Sequence, residues 1–293
     1  MLPREVIEKV RRIEIKTRRM VTDALAGEYH SIFKGRGMEF SEVREYQMGD
    51  DIRTIDWNVT SRTGQLHVKK FTEERELTVL LVLDVSGSSD FGTRAHFKRE
   101  VAAEMGALLA FSAIKNNDRV GAIVFTSEVE MYIPPRKGRA HVLRVIRDLL
   151  YFEPKGKGTN IARACEYLNR ITRKRAVVFL LSDFMDSKFD KPLRVAAKKH
   201  DLISIFISDP RESELPPVGL VELEDAESGR KILLDTSDRD AMAAYRESVE
   251  AHRTEQKAAL ASMGVDLIDI HTDVPYDKPL LRFFEMRGRR LRR

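Results

Sequence analysis

The chain has 293 residues, of which 42% are hydrophobic and 33% charged. That is enough apolar material for one large domain or two small ones, and too much for intrinsic disorder. A single cysteine, Cys165, excludes an internal disulfide and a zinc site built from several thiolates. Lys+Arg at 51 exceed Asp+Glu at 46 by 5, too mild an excess to mark a dedicated nucleic-acid binder.

No apolar run approaches the ~20 residues of a membrane helix. Residues 1–26 alternate charges with Val6, Ile7, Val10, Ile13, Met20 and Val21, the spacing of an amphipathic helix and not of a signal peptide. A cytoplasmic protein is expected. Residues 27–76, punctuated by Gly27, Gly35, Gly37, Gly49 and Gly64, predict short strands and turns. They carry no long periodic apolar face and are expected to pack on the rest of the chain. Residues 77–84, 119–125, 176–182, 202–208 and 265–270 predict buried strands. Residues 94–115, 139–150, 161–170 and 239–263 predict helices. A short strand at 129–134, ended by Pro134 and Pro135, is expected at a sheet edge. Residues 209–236 look like a small hairpin insertion.

Near-continuous apolar strands alternating with helices imply an α/β fold, a doubly wound, mostly parallel sheet flanked by helices with a β-rich N-terminal elaboration. The expected division is 1–76 as helix plus β-rich segment, 77–272 as the sheet domain, and 273–293 as a C-terminal helix and basic tail. Other residues read plainly. Arg44, Asp50, Arg53 and Asp56 predict a polar network, Trp57 a packing residue, Cys165 a buried core thiol, and the arginines of 287–293 a solvated tail. The seven histidines form no ligand spacing, and Gly35-Arg-Gly37 is too short for a phosphate loop.

Ligands of open α/β sheets bind beyond the carboxyl ends of the strands. The first core strand runs into Asp84-Val85-Ser86-Gly87-Ser88, a later one ends at Ser182-Asp183, and between them Gly156-Lys-Gly158-Thr159-Asn160 opens a helix. Asp84, Ser86, Ser88, Thr159 and Asp183 thus offer only hard oxygen donors, which suit Mg²⁺, with Mn²⁺ as the close alternative. Two carboxylates balance the ion, and neutral hydroxyls leave it able to accept a further carboxylate from outside. The plain alternative for each residue is a helix cap or turn former.

Asp84-x-Ser86-x-Ser88, Thr159 and Asp183 resemble the metal-ion-dependent adhesion site of von Willebrand factor A domains. The run from Gly27 to Gly37, then Glu42-Val-Arg-Glu-Tyr46, Gly49-Asp50, Ile55-Asp56-Trp57, Ser208-Asp-Pro-Arg-Glu212 and Glu214-Leu-Pro216 resemble the bacterial domain-of-unknown-function family 58. The resemblance implies that the Ser and Thr hydroxyls bind Mg²⁺ directly and the aspartates bind it directly or through water. It also implies a partner, an AAA+ ATPase of the MoxR type, in protein maturation or stress response, with the metal taking an acidic side chain from the partner or its client. No enzyme is expected. The alternative is a Mg²⁺-dependent phosphoester hydrolase or nuclease using the same carboxylates. A phosphohydrolase of this layout wants a second carboxylate two residues after its nucleophile, where Ser86 stands, and two-metal chemistry gathers more carboxylates than Asp84 and Asp183 supply.

Overall fold

The computed structural model describes residues 4–20, 29, 32–33, 38–73, 76–92 and 97–291. Most of the 27–37 signature and the last two arginines of the basic tail lie outside the described residues. The chain divides into two compact units, one of Met1–Ile32 with Thr78–Arg293 and one of Phe33–Leu77. The N-terminal helix therefore groups with the sheet domain and not with the β-rich segment that follows it. The reason is local packing: Ile13 is buried, Lys16 pairs with Glu104 and Glu14 with Arg139.

The larger unit begins with α1 (Arg4–Met20) and continues with β3 (Thr78–Asp84), α3 (Lys98–Lys115), β4 (Arg119–Phe125), β5 (Val129–Arg136), α4 (Arg139–Leu150), α5 (Ile161–Ile171) and β6 (Val177–Ser182). After these come α6 (Asp190–Lys199), β7 (Asp201–Ser208), the hairpin β8 (Leu220–Glu224) and β9 (Lys231–Asp235), α7 (Arg239–Ser262), β10 (Asp266–His271) and α8 (Asp277–Leu291). Six strands form one sheet in the order β10-β7-β6-β3-β4-β5. All neighbours are parallel except β5, which runs antiparallel at the edge. This is an α/β fold with a mostly parallel sheet flanked by helices.

The apolar run of β3 is buried because both faces are covered. Leu80 and Val82 pack with Ile161, Cys165 and Leu168 of α5. Leu81, one residue out of phase, faces the other way, with Gly106 of α3 and Leu149 of α4 close to each other around it. α3 carries apolar residues all round and is buried almost throughout, as such a helix must be.

Three expectations about this unit need correction. Pro134 and Pro135 do not end β5; they lie inside it, where the register shifts opposite Gly121. An edge strand tolerates the two missing N–H donors, and a Cβ at position 121 would lie only 2.7 Å from the Ile133 carbonyl. Helix α6 was not anticipated, and it buries only Leu193 and Ala196. The C-terminal helix expected within 273–293 runs over Asp277–Leu291, but its arginines are not all solvated. Arg287 pairs with Asp201 and Asp266 and is largely buried, whereas Arg290, 3.3 Å from Asp266, remains 72% exposed.

In the smaller unit β1 (Met38–Glu45) pairs antiparallel with β2 (His67–Glu73). Between them stand a 3₁₀ turn (Ile52–Thr54) and α2 (Trp57–Thr63). Asp56 caps α2 by accepting the N–H groups of Asn58 and Val59, and Gly64 ends it at φ 73°. Arg44 donates to both oxygens of Asp50 at 2.8 and 2.6 Å, which holds the Asp50 carboxyl below its usual range. Arg53 instead gives its backbone N–H to Asp51, outside the Arg44–Asp50 pair. Trp57, expected to pack, is 68% exposed.

Candidate metal centre

The strand order reverses at β3: chain succession runs outward through β4 and β5 on one side and through β6, β7 and β10 on the other. Diverging connections open a crevice at the carboxyl ends of β3 and β6. Asp84 is the last residue of β3, and Asp183 directly follows β6.

Asp84 is 2% exposed. One oxygen accepts the Ser86 N–H at 3.0 Å, and the other accepts the Ser182 hydroxyl at 2.6 Å. Ser182 Oγ in turn accepts the Phe184 N–H, so one hydroxyl ties the ends of β3 and β6 together. Burial, and after it the charge of Asp183, push the Asp84 carboxyl up to about 7. The loop then turns sharply. Ser89 donates to the Asp84 carbonyl, and Ser86 Oγ and Ser88 Oγ lie 3.1 Å apart. Ser86 precedes a 3₁₀ turn without capping it through its side chain. The serine hydroxyls are therefore not consumed as caps.

Asp183 has a different neighbour. Its Oδ1 accepts the Met185 N–H, and its Oδ2 accepts from Lys98 Nζ at 2.7 Å. Lys98, at the start of α3, is itself buried and also donates to Glu212. Burial alone would lower the Lys98 ammonium, but Asp183 and Glu212 outweigh it and raise its pKa above the ordinary value. Glu212 is held for this role by the turn after β7: its other oxygen accepts the Asp209 N–H, while Asp209 accepts that of Arg211.

The loop before α5 comes to the same place. Glu130 of β5 accepts the N–H groups of Lys155 and Gly156. Gly156 is required there, because a Cβ would lie 2.5 Å from Thr126 Oγ1. Gly87 N–H donates to the Lys157 carbonyl at 2.8 Å, which ties the Ser86–Ser88 loop to the Thr159 loop. Asn160, not Thr159, caps α5. Thr159 instead meets Glu227 from the β8–β9 hairpin: Thr159 Oγ1 donates to Oε1 at 2.6 Å and its N–H donates to Oε2 at 3.1 Å.

The five residues expected at the site thus stand on three loops that are joined by Ser182 and by the Gly87–Lys157 bond. Asp84 and Asp183 also close local turns, as the plain alternative for them allowed; Ser86 and Thr159 do not cap helices with their side chains. Among the described residues no group of three or more His, Cys, Asp or Glu side chains could hold a metal ion. A cation here would depend on the hydroxyls. Each Asp84 oxygen keeps a lone pair beyond the bond it already makes, and the serine and threonine oxygens are neutral, so the donor set fits Mg²⁺.

Lys98, Ser182, Glu212 and Glu227 were not anticipated as site residues. Glu212 had a signal, since it closes the Ser208–Glu212 stretch, and so did Ser182, which stands beside Asp183 at the end of β6. Lys98 and Glu227 meet the site from distant elements.

The chain is 34% identical over 285 residues to the uncharacterized protein Rv1480 of Mycobacterium tuberculosis (strain ATCC 25618 / H37Rv), covering 96% of this chain and 89% of that one. Among solved structures it is similar to the conserved hypothetical protein BatB from Bacteroides thetaiotaomicron (18% identity, TM-score 0.47, 73% of this chain and 99% of that one). It is also similar to the VWA domain of SpRpn10 (12% identity, TM-score 0.38, 70% and 93%). No helix among the described residues is long and apolar enough to cross a membrane. A family model described as protein of unknown function DUF58 matches residues 42–255, and the chain belongs to that family.

Proposed function

We propose that this chain is a metal-dependent protein-binding module that works as an adaptor with a MoxR-type AAA+ ATPase in protein maturation or stress response. The supporting observation is that the three loops carrying Asp84, Ser86, Ser88, Thr159 and Asp183 are tied together at the carboxyl ends of β3 and β6. The AAA+ partner is what the family resemblance implies. Asp84, Ser86, Ser88, Thr159 and Asp183 would hold Mg²⁺, the hydroxyls directly and the aspartates directly or through water. When bound, the ion would supply a positive centre that a carboxylate of another protein can enter. Ser182 and the Ser86 N–H orient Asp84, and Lys98 orients Asp183, so the donors are set before a cation arrives.

The test is binding of the purified full-length chain to the purified MoxR-type ATPase of the same organism in Mg²⁺, in EDTA, and with Asp84→Ala. Binding lost equally in the last two supports the proposal. Equal binding in all three overturns it. Magnesium-dependent turnover of p-nitrophenyl phosphate, abolished by Asp84→Ala, would favour the hydrolase alternative.

A further inference from the structure

We infer that Glu227 is a further ligand of this centre: the chain's own carboxylate occupies the place at the cation that a partner's acid must take. The inference rests on the metal-dependent reading above and deepens it.

The β8–β9 hairpin delivers Glu227 by construction. At its tip Asp225 Oδ1 accepts the N–H groups of Glu227 and Ser228 at 2.9 and 2.8 Å. Gly229 closes the turn at φ 69° and donates to the Asp225 carbonyl. The other two glutamates of the hairpin, Glu222 and Glu224, pair with Lys231 on the adjoining strand. Glu227 goes elsewhere, with both oxygens on Thr159. A second observation is independent of that carboxylate. A Cβ on Gly87 would lie 2.6 Å from the Ala226 carbonyl, so the hairpin tip is seated directly on the Ser86-Gly87-Ser88 loop. The tip therefore touches two of the three donor loops.

The chemistry is consistent with ligation. Thr159 gives its hydroxyl proton to Glu227, which leaves the lone pairs of that oxygen for a cation. A carboxylate already beside such an oxygen is placed to share the ion. The consequence is regulatory. A tethered carboxylate competes at an effective concentration on the order of millimolar, so only a partner that displaces the hairpin gains the metal. The partner chemistry that fits is an acidic side chain carried on a surface able to lift the β8–β9 tip.

The experiment uses the full-length chain and Mn²⁺ alone as probe. Affinity is read from the free-ion electron paramagnetic resonance signal, and the number of bound waters from water proton relaxation. Glu227→Gln keeps a hydrogen-bonding group at Thr159 but removes the charge. Its Mn²⁺ affinity should fall about ten-fold, and the bound ion should gain one exchangeable water. Glu227→Ala should do the same, and Glu224→Gln, elsewhere on the same hairpin, should match wild type. Unchanged affinity and water number in both Glu227 variants, with Asp84→Ala losing Mn²⁺, would overturn the inference and leave the metal reading standing. Mn²⁺ binding that Asp84→Ala does not reduce would remove the metal reading, and the inference with it.

Discussion

The two aspartates of the site stand at adjacent strand ends, equally buried, and their surroundings are opposite. Around Asp183 an ammonium, Lys98, has been brought into the core and shared with Glu212. Around Asp84 the partners are the Ser182 and Ser86 hydroxyls and the Ser86 N–H, with no cation among the described residues, and its carboxyl is pushed up to about 7 by burial and by Asp183. In one half the protein supplies a buried counter-charge, Lys98, shared between two carboxylates. In the other half it supplies none, and burial favours the protonated form of Asp84. The difference supports the proposal of a cation at Asp84 and its hydroxyls, beside an Asp183 already held by Lys98.

Removing the lysine should have the largest effect. Lys98→Met leaves Asp183 and Glu212 facing each other without a counter-charge, and breaking a buried pair in this way costs about 3–5 kcal/mol. Urea unfolding should show a loss of that size, partly recovered by adding Asp183→Asn. A loss below about 1 kcal/mol would mean that the two halves are not different in kind.

Asp84→Asn should act with the opposite sign in metal-free protein. The folded Asp84 carboxyl titrates near 7, above the ordinary aspartate value, so its protonated form is the one the fold favours. Stability held below about pH 4 is lost as pH rises to about 7, on the order of a few kcal/mol. In EDTA the wild type should therefore melt lower at pH 8 than at pH 5, and Asp84→Asn should flatten that part of the profile. A steeper slope in the variant would contradict the assignment.

Ser182→Ala removes the bond to Asp84 Oδ2 and the acceptor of the Phe184 N–H. A cost of about 1–3 kcal/mol is expected, read as a lower denaturation midpoint with an unchanged slope. The smallest effect on the fold should come from Ser86→Ala and Thr159→Ala. Neither hydroxyl caps a helix, so both variants should stay within about 1 kcal/mol of wild type in EDTA while binding Mg²⁺ more weakly.

The half of the site built on Asp84 was legible because its donors follow one another along the chain. Asp84, Ser86 and Ser88 occupy one loop, and an apolar run marks the strand that ends there. Thr159 and Asp183 could be added because each follows or precedes a recognisable element. The other half was hidden. Lys98 lies 85 positions from Asp183, and Glu227 lies 68 positions from Thr159, and nothing local distinguishes either from a solvated surface charge. The same limit explains two errors in the fold. Helix α6 spans only ten residues and buries only Leu193 and Ala196, which leaves few apolar positions to read, and Trp57 reads as core because hydrophobicity alone does not say whether a neighbour will cover it. The strands erred least, since burial on both faces writes itself into every residue of the run.

The central claim, a cation site at Asp84, is tested most directly by titrating Mg²⁺ into the full-length chain at pH 8 by isothermal calorimetry, beside Asp84→Ala. The account predicts saturable binding at one site in the wild type and none in the variant, with both proteins melting cooperatively in EDTA. Binding that is absent from the wild type, or equal in the two proteins, would contradict it.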